Sequence, residues 1–350
     1  MSDEYLMPAP SGSAATDTAN LQTAVSETIT KAQTFGLYGG VIQLRAGRYK
    51  FTNAEIRGAI RLRLQGVFGQ TVIEYAGDAL GSALTLVNSQ WCELRDFDID
   101  MGAGGAAAIR LLRDGGTGFA PSQNQIRNVR IDGRNATPVG VLIGGVNQNN
   151  DFHVIEDVQF ADCTYAEVVT GDSQCYNVEL NRCYFAAGVG GQHAVVAEYG
   201  KVRINGGRSL GHARATLLMR GFGMSNEVTG LNIEGDKRLF ECIGGHTSYI
   251  HAVNVRYAGN LAHEDGRFIV ASGGTRAIIV MEDCHIGIGN NPSAAFVVDY
   301  SGAHADSKFH MLRGNFFTSA PSPFPANATV KDVFVFTATS PTIDYTVVNL

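Results

Sequence analysis

Beyond Ile60 the apolar positions follow one recurring spacing: an apolar residue, two others, an apolar residue, one other, an apolar residue. Clear copies are Leu94-x-x-Phe97-x-Ile99, Ile126-x-x-Val129-x-Ile131, Ile155-x-x-Val158-x-Phe160 and Leu180-x-x-Cys183-x-Phe185. A degenerate Ile204-x-x-Gly207-x-Ser209 precedes Val228-x-x-Leu231-x-Ile233, Ile250-x-x-Val253-x-Val255, Met281-x-x-Cys284-x-Ile286 and a weak Leu312-x-x-Asn315-x-Phe317. The third positions recur every 22 to 32 residues or so, about the length of one solenoid coil. A second, more continuous apolar run follows each motif, as in Ala108–Leu112, Val139–Ile143, Ala194–Val196, Thr216–Met219 and Phe268–Val270. Short strands at this period, mostly closed by glycine, predict a β-solenoid. A sandwich would alternate without a long period, and leucine-rich repeats or propeller blades carry other signatures.

Only one stretch has helical periodicity. Leu21, Ala24, Val25, Thr28, Ile29 and Ala32 predict a helix over 21–32, with Asp17 and Thr18 as capping candidates. Gly39-Gly40 ends it, Val41-Ile42-Gln43-Leu44 reads as a strand, and Ala46-Gly47-Arg48-Tyr49 as a turn. The expected layout is a flexible segment over 1–15, a capping helix and first strand over 16–51, a solenoid over 52–320, and closing strands over 321–350. Those last strands either cover the open end or pair with a neighbouring subunit, because an uncovered solenoid end invites aggregation.

This opening, Asp17-Thr18-Ala19-Asn20-Leu21-Gln22-Thr23-Ala24-Val25 followed by Gly39-Gly40-Val41-Ile42-Gln43-Leu44-Arg45-Ala46-Gly47-Arg48-Tyr49, resembles the first coil of the pectin-lyase-like, right-handed parallel β-helix proteins. Two departures stand out. Ser11-Gly12-Ser13 occupies the place of the family's usual Gly-Asp-Gly, and Arg45 the place of a frequent proline. The resemblance implies an all-β, single-stranded right-handed parallel β-helix of roughly ten coils with an N-terminal capping helix. It also implies a polysaccharide or oligosaccharide partner. Proteins of this kind include plant-polymer degraders, fructotransferases and tailspike depolymerases. The tailspike-like group, whose members are usually trimers, fits best, so a homotrimer in an extracellular or virion-associated setting is the expectation.

Composition trims the alternatives. The chain has 350 residues, 45% of them hydrophobic, and carries 42 glycines, many for a helical protein but natural where the chain turns often. A net charge of −6 argues against nucleic acid, whose phosphates need a basic stripe. No apolar run reaches membrane-spanning length, and Met1-Ser2-Asp3-Glu4 shows no signal-peptide pattern. The six cysteines lack metal-type spacing and read as small buried hydrophobes.

The repeat also predicts which distant residues are surface neighbours, because equivalent positions stack about 4.8 Å apart from coil to coil. One outward column is expected to run Asp98, Arg130, Gln159, Tyr184, Arg208, Asn232, Asn254, His285, Phe316, and the next Asp100, Asp132, Ala161, Ala186, Leu210, Glu234, Arg256, Gly287, Thr318. Loops beside the middle of this face add His193, His212, Arg214, Asp236, Lys237, Arg238, His263, Glu264 and Asp265. Glycoside hydrolysis needs two carboxyl groups, which Glu234 with Asp236, Glu264 or Asp265 would supply. A lyase instead needs a base and a cation for the developing enolate, roles for Arg256, His285 or Arg208. Tyr184, Arg208, Asn232, Asn254 and His212 are the expected sugar-binding residues. Asp98, Asp100 and Asp132 form either a second carboxylate set, a calcium site made of oxygen ligands, or ordinary cross-strand ion pairs. No cofactor is required by this reading. Trp91 reads as a packing residue. Hydrolysis or transfer is favoured over elimination; a non-catalytic glycan-binding spike or adhesin is the reading from another class.

Overall fold

A computed structural model describes residues 4–34, 39–102, 104–115, 121–145, 150–171, 175–221, 225–259, 266–288, 297–318, 323–339 and 342–348. The chain is an all-β parallel solenoid of about nine turns with one N-terminal helix. Two compact units compose it, residues 1–191 and 192–350, and each is described by itself.

In the first unit, strands Gly40–Gln43, Leu62–Gln65, Glu93–Asp100, Gln125–Asp132 and Val154–Glu156 pair in parallel, rung on rung. The second halves of the long strands continue the ladder through Thr71–Tyr75 and Gln159–Ala161 to Tyr184–Ala186. A separate parallel sheet stacks Ala54–Arg57, Ser82–Val87, Ala107–Arg113, Val139–Gly145 and Ala166–Thr170. Between the sheets lie Leu94, Phe97, Ile99, Ile126, Val129, Ile131 and their successors, all buried. Phe160 stacks on Phe185 with ring centroids 5.5 Å apart. This is the hydrophobic stack that the repeat predicts.

The pair of unspecified residues inside each motif turns out to be a corner. Its second member adopts positive φ in coil after coil: Asp96, Asn128, Asp157 and Arg182 in the first unit, and Gly206, Gly230, Asn254, Asp283, Arg313 and Asp332 in the other. Left-handed backbone is costly except for glycine and, less so, asparagine and aspartate. That preference explains their recurrence at a position where the strand must bend between faces.

The helix spans Ala14–Thr34, starting about two turns before the expected 21–32 segment. Ser13 stands at the cap, with its Oγ 3.4 Å from the Thr16 N–H. Asp17 is not the cap. It is buried, and its carboxylate accepts from the Ser11 N–H and Oγ–H and from the Lys50 N–H at 2.7–3.0 Å, fastening the helix start to strand Gly47–Phe51. Leu21, Ala24, Val25, Thr28 and Ala32 face the first coil. Residues 4–6, expected within a flexible segment, instead form a strand parallel to Val41–Gln43, and Met7 behind it is fully buried.

A polar spine runs through one corner of this unit. The Asn124 amide O accepts from the Cys92 N–H, and the Asn124 backbone N–H donates to His153 Nδ1. The ring proton therefore sits on Nε2, which donates to Asn150 Oδ1 at 2.6 Å. Burial drives His153 down to about 3, so it is a neutral structural histidine. Cys92 and Cys183 are buried, and burial pushes both thiols up to about 12.

The second unit repeats the plan. Val202–Asn205, Ser225–Thr229, Thr247–Val253, Arg276–Ile288, Lys308–Phe317 and Thr329–Thr339 stack in parallel. Arg208–Leu210, Asn232–Glu234 and Arg256–Gly259 lead into the same long strands. His193–Ala197, Ala215–Met219, Arg238–Cys242, Arg267–Ala271 and Val297–Asp299 form the other sheet. Thr342–Val348 reverses direction and pairs antiparallel with Thr329–Thr339, ending the parallel ladder.

Two motifs are framed differently from the sequence reading. The coil expected at Ile250-x-x-Val253-x-Val255 is Ala252-x-x-Val255-x-Tyr257, because Ala252 aligns with Val228 and Met281. Ala252 and Tyr257 are buried while Val253 is half-buried. A small inward alanine beside an outward valine shifted the apparent register. Likewise Met311-x-x-Gly314-x-Phe316 replaces the weak Leu312 motif, and Phe316 is core.

Candidate functional site

The outer face of the first unit carries its charge on two rows. One row runs Val72, Asp98, Arg130, Gln159, Tyr184, each paired across adjacent rungs. The other runs Glu74, Asp100, Asp132, Ala161, Ala186. Arg134 grips Asp100 with two bonds, Nε to Oδ1 at 2.9 Å and Nη2 to Oδ2 at 2.7 Å, and Arg48 Nη1 adds a third at 3.1 Å. These bonds, that of Arg134 first, hold the Asp100 carboxyl far below its ordinary range. Asp132 accepts the Arg134 backbone N–H at 3.0 Å and lies 3.4 Å from its Nε.

Asp98 behaves differently. Among the described residues it makes no ion pair. Burial raises its carboxyl above the ordinary value, and the charge of Arg130 only partly offsets this. Two carboxyls on one strand, Asp98 and Asp100, thus have their proton affinities driven in opposite directions. Asp98 and Asp132 are diagonal neighbours on adjacent rungs of one face.

The second unit presents a row of Arg208, Asn232, Arg256, His285 and Asn315 on successive rungs. The expected column differs at two places. Arg256 belongs to this row, while Asn254 sits at the positive-φ corner. Asn315, not the buried Phe316, continues it. Beside it runs Leu210, Glu234, Ala258, Gly287. The small side chains at 258 and 287 leave a groove of about 180 Å³, lined by Arg256, Tyr257, Ala258, His285, Ile286, Gly287 and Phe317. Asn315 Nδ2 lies 2.8 Å from His285 Nδ1. Glu234 accepts from Arg208 Nη2 at 2.5 Å and from Asn232 Nδ2 at 3.2 Å. The Arg208 bond is the main cause that holds its carboxyl below the ordinary value, so Glu234 is an ionised, ion-paired group.

The partners expected for Glu234 are not beside it on this face. Asp236 is completely buried. Its Oδ2 accepts from Ser209 Oγ and Thr216 Oγ1, both at 2.6 Å, and its Oδ1 accepts the His212 N–H at 2.9 Å and lies 3.0 Å from His212 Nδ1. Burial alone would raise this carboxyl, but His212, Ser209 and Thr216 together bring it below its ordinary value. His212 is equally buried. The cause is local: Gly211 and Gly235 have φ of +79° and +76°. Each breaks the strand's alternation and turns the next residue, His212 or Asp236, inward. The pairing of a strand-ending glycine with a polar residue was the available signal, and Ser209 and Thr216 are the partners the sequence reading missed.

Asp265, with His263 and Glu264, lies outside the described residues. His193 is buried and driven to about 3 by burial first. Arg214 and Arg238 both donate to Glu241 Oε1, at 2.7 and 3.1 Å, and Glu241 is buried. Among the described residues no three His, Cys, Asp or Glu converge as metal ligands, and no helix is long and apolar enough to cross a membrane.

Stacked parallel rungs behind one N-terminal helix make the fold a parallel β-solenoid. The chain resembles several solved structures in fold. One is the A-module of the Azotobacter vinelandii mannuronan C-5 epimerase AlgE6, matched at 14% identity and TM-score 0.59 over 91% of this chain and 96% of that one. Another is the catalytic unit of a GH87 α-1,3-glucanase from Streptomyces thermodiastaticus, at 17% identity and TM-score 0.57, over 90% of this chain and 60% of that one. A third is tailspike gp49 of Acinetobacter baumannii bacteriophage Fri1, a capsular polysaccharide depolymerase, at 11% identity and TM-score 0.58, over 93% of this chain and 60% of that one. The chain thus spans about three fifths of the glucanase and tailspike structures. No family model and no curated relative matches the sequence.

Proposed function

We propose that the protein is a carbohydrate-active enzyme that hydrolyses glycosidic bonds of a polysaccharide on the outer face of its first unit. The observation that carries this reading is the carboxyl pair Asp98 and Asp132. Asp98 retains its proton more readily than an ordinary aspartate, as a general acid for the leaving oxygen must. Asp132, on the next rung and diagonal to it, is the base for an attacking water. Asp100, saturated by Arg134 and Arg48, orders the face without taking part in proton transfer. Arg130, Gln159 and Tyr184 supply donors and an aromatic ring along the same row. Support from a different direction is that the fold recurs in proteins named as a glucanase, an epimerase and a capsular depolymerase.

This moves the acid–base pair away from the Glu234 region. There, Glu234 is ion-paired and Asp236 is internal, whereas Arg208, Asn232, Arg256, His285 and Asn315 form a row of hydrogen-bonding groups suited to hydroxyls or uronate carboxylates. The groove at Arg256 and His285 favours a second reading, a sugar-binding surface or a β-elimination site without the two-carboxyl machinery. A panel of capsular, O-antigen, pectic and fructan polysaccharides separates the two. New reducing ends without unsaturated-uronate absorbance, abolished by Asp98→Asn, support hydrolysis at the first unit. Absorbance that rises with the reducing ends and is lost in Arg256→Ala or His285→Ala supports elimination at the second.

A further inference from the structure

Another surface of the first unit has the features of a binding strip. Isolated parallel bridges join Ile60 to Gln90, Gln90 to Ser122, and Ser122 to Asp151. The residue after each bridge position is left-handed: Arg61 at φ +56°, Trp91 at +53°, Gln123 at +55° and Phe152 at +59°, with Asn177 at +54° on the coil after. Backbone bonds lock the register, with Arg61, Trp91, Gln123 and Phe152 N–H groups donating to Gln90, Ser122, Asp151 and Tyr176 oxygens at 2.8–3.0 Å. At the other corner of these coils the equivalent position is filled mainly by aspartate and asparagine, which tolerate this backbone. Here two bulky aromatics occupy it. Trp91 is 42% exposed and Phe152 50% exposed, although a packing role for Trp91 was the expectation.

The Trp91 ring is nevertheless oriented. The Arg61 guanidinium lies 5.7 Å from its centroid, and its Nε1–H donates to Gln123 Oε1. The exposed rings stand two coils apart, a separation of about twice ~4.8 Å, with an amide side chain between them and another beyond. That coil spacing is close to the rise of one hexose along an extended polysaccharide, so alternate sugars of such a chain would meet Trp91 and Phe152 while Gln123 meets the hydroxyls of the sugar between. We infer that Arg61, Trp91, Gln123, Phe152 and Asn177 form an ancillary docking strip for an extended polysaccharide, separate from the carboxyl face. The inference rests on the proposal that the protein handles a polysaccharide, and it adds a site that holds the polymer without cutting it.

Strain at non-glycine residues is retained where it serves function, and this gives the test its sign. Glycine fits the left-handed backbone at both positions. Trp91→Gly and Phe152→Gly should therefore keep or raise the melting temperature while each weakens polymer binding about ten-fold, the loss of one stacking contact. Turnover of short oligosaccharides should not change. Trp91 is the only tryptophan in the chain, so its emission reports on this strip alone. Titrating the Asp98→Asn protein with each polysaccharide of the panel should shift that emission, and Phe152→Gly should move the titration midpoint to about ten-fold higher polymer. Binding seen by sedimentation with a silent tryptophan overturns the strip and leaves the proposed function standing. No binding of any polymer by either readout overturns both. Lower stability in both glycine variants, or an oligomer that dissociates in Trp91→Gly, overturns the strip in favour of a packing role or an interface between copies.

Discussion

Two acidic pairs are candidates from the sequence: Asp98 with Asp132 in the first unit, both expected outward on neighbouring coils, and in the other Glu234, expected outward, with Asp236, expected in the adjoining loop. In the folded protein they have opposite fates. Among the described residues Asp98 makes no ion pair, and its half-buried setting raises its proton affinity; Asp132, 3.4 Å from Arg134 Nε, stays on the same face one rung away. Glu234 is neutralised by Arg208, and Asp236 is turned inside by Gly235 and consumed by three side chains. Acid–base chemistry therefore depends less on how many carboxyls a face carries than on which ones the arginines and the glycine corners leave available.

The sharpest way to break this comparison is catalytic. Asp98→Asn and Asp132→Asn should each reduce polymer cleavage by on the order of 10²–10⁴, read as initial rates of reducing-end release, while both proteins unfold normally. Because the Asp98 carboxyl is raised, the rate should fall as pH climbs through its elevated value and the acid loses its proton. A rate flat through that limb would remove Asp98 from the role.

The next effect is on stability. Asp236→Ala leaves the Ser209, Thr216 and His212 groups buried without their shared acceptor, and should cost on the order of 3 kcal/mol, measured by urea unfolding of the second unit. A loss near zero would mean that the cluster is not the anchor its geometry suggests.

Smaller effects follow from acid. His153 has its folded value near 3 against about 6.5 when unfolded. Its contribution is therefore complete above about pH 6.5 and lost as the pH falls from there, because only the unfolded chain readily takes the proton. His153→Gln should flatten that part of the stability–pH curve. Asp100, also depressed on folding, contributes above about pH 4 and loses that contribution below it. Asp100→Asn should remove the lower part of the curve. The smallest expected change is Glu234→Gln, an exposed ion pair worth about 1 kcal/mol or less, with cleavage nearly unaffected and sugar binding altered only modestly.

The solenoid was legible because its apolar period is long-range and its ladder places one apolar residue on another. Asp98, Arg130, Asp132 and Tyr184 fell in the right rows for the same reason. The misreadings cluster where alternation stops. Gly211 and Gly235 reverse the facing of His212 and Asp236. Ala252 was too small to be recognised as inward, which displaced Asn254 and Arg256 by two positions. The arginine distribution could not be read at all, since Arg134 and Arg48 reach Asp100 from different coils and Arg208 reaches Glu234 from the coil before. Protonation depends on those reaches, and a one-dimensional pattern does not carry them.

The most direct test of this account measures reducing-end release on a cleaved polysaccharide by four proteins side by side: the parent, Asp98→Asn, Asp132→Asn and Glu234→Gln. The account predicts that the two aspartate variants lose nearly all activity while Glu234→Gln keeps most of it. Loss of activity in Glu234→Gln with both aspartate variants active would contradict it and return the chemistry to the second unit.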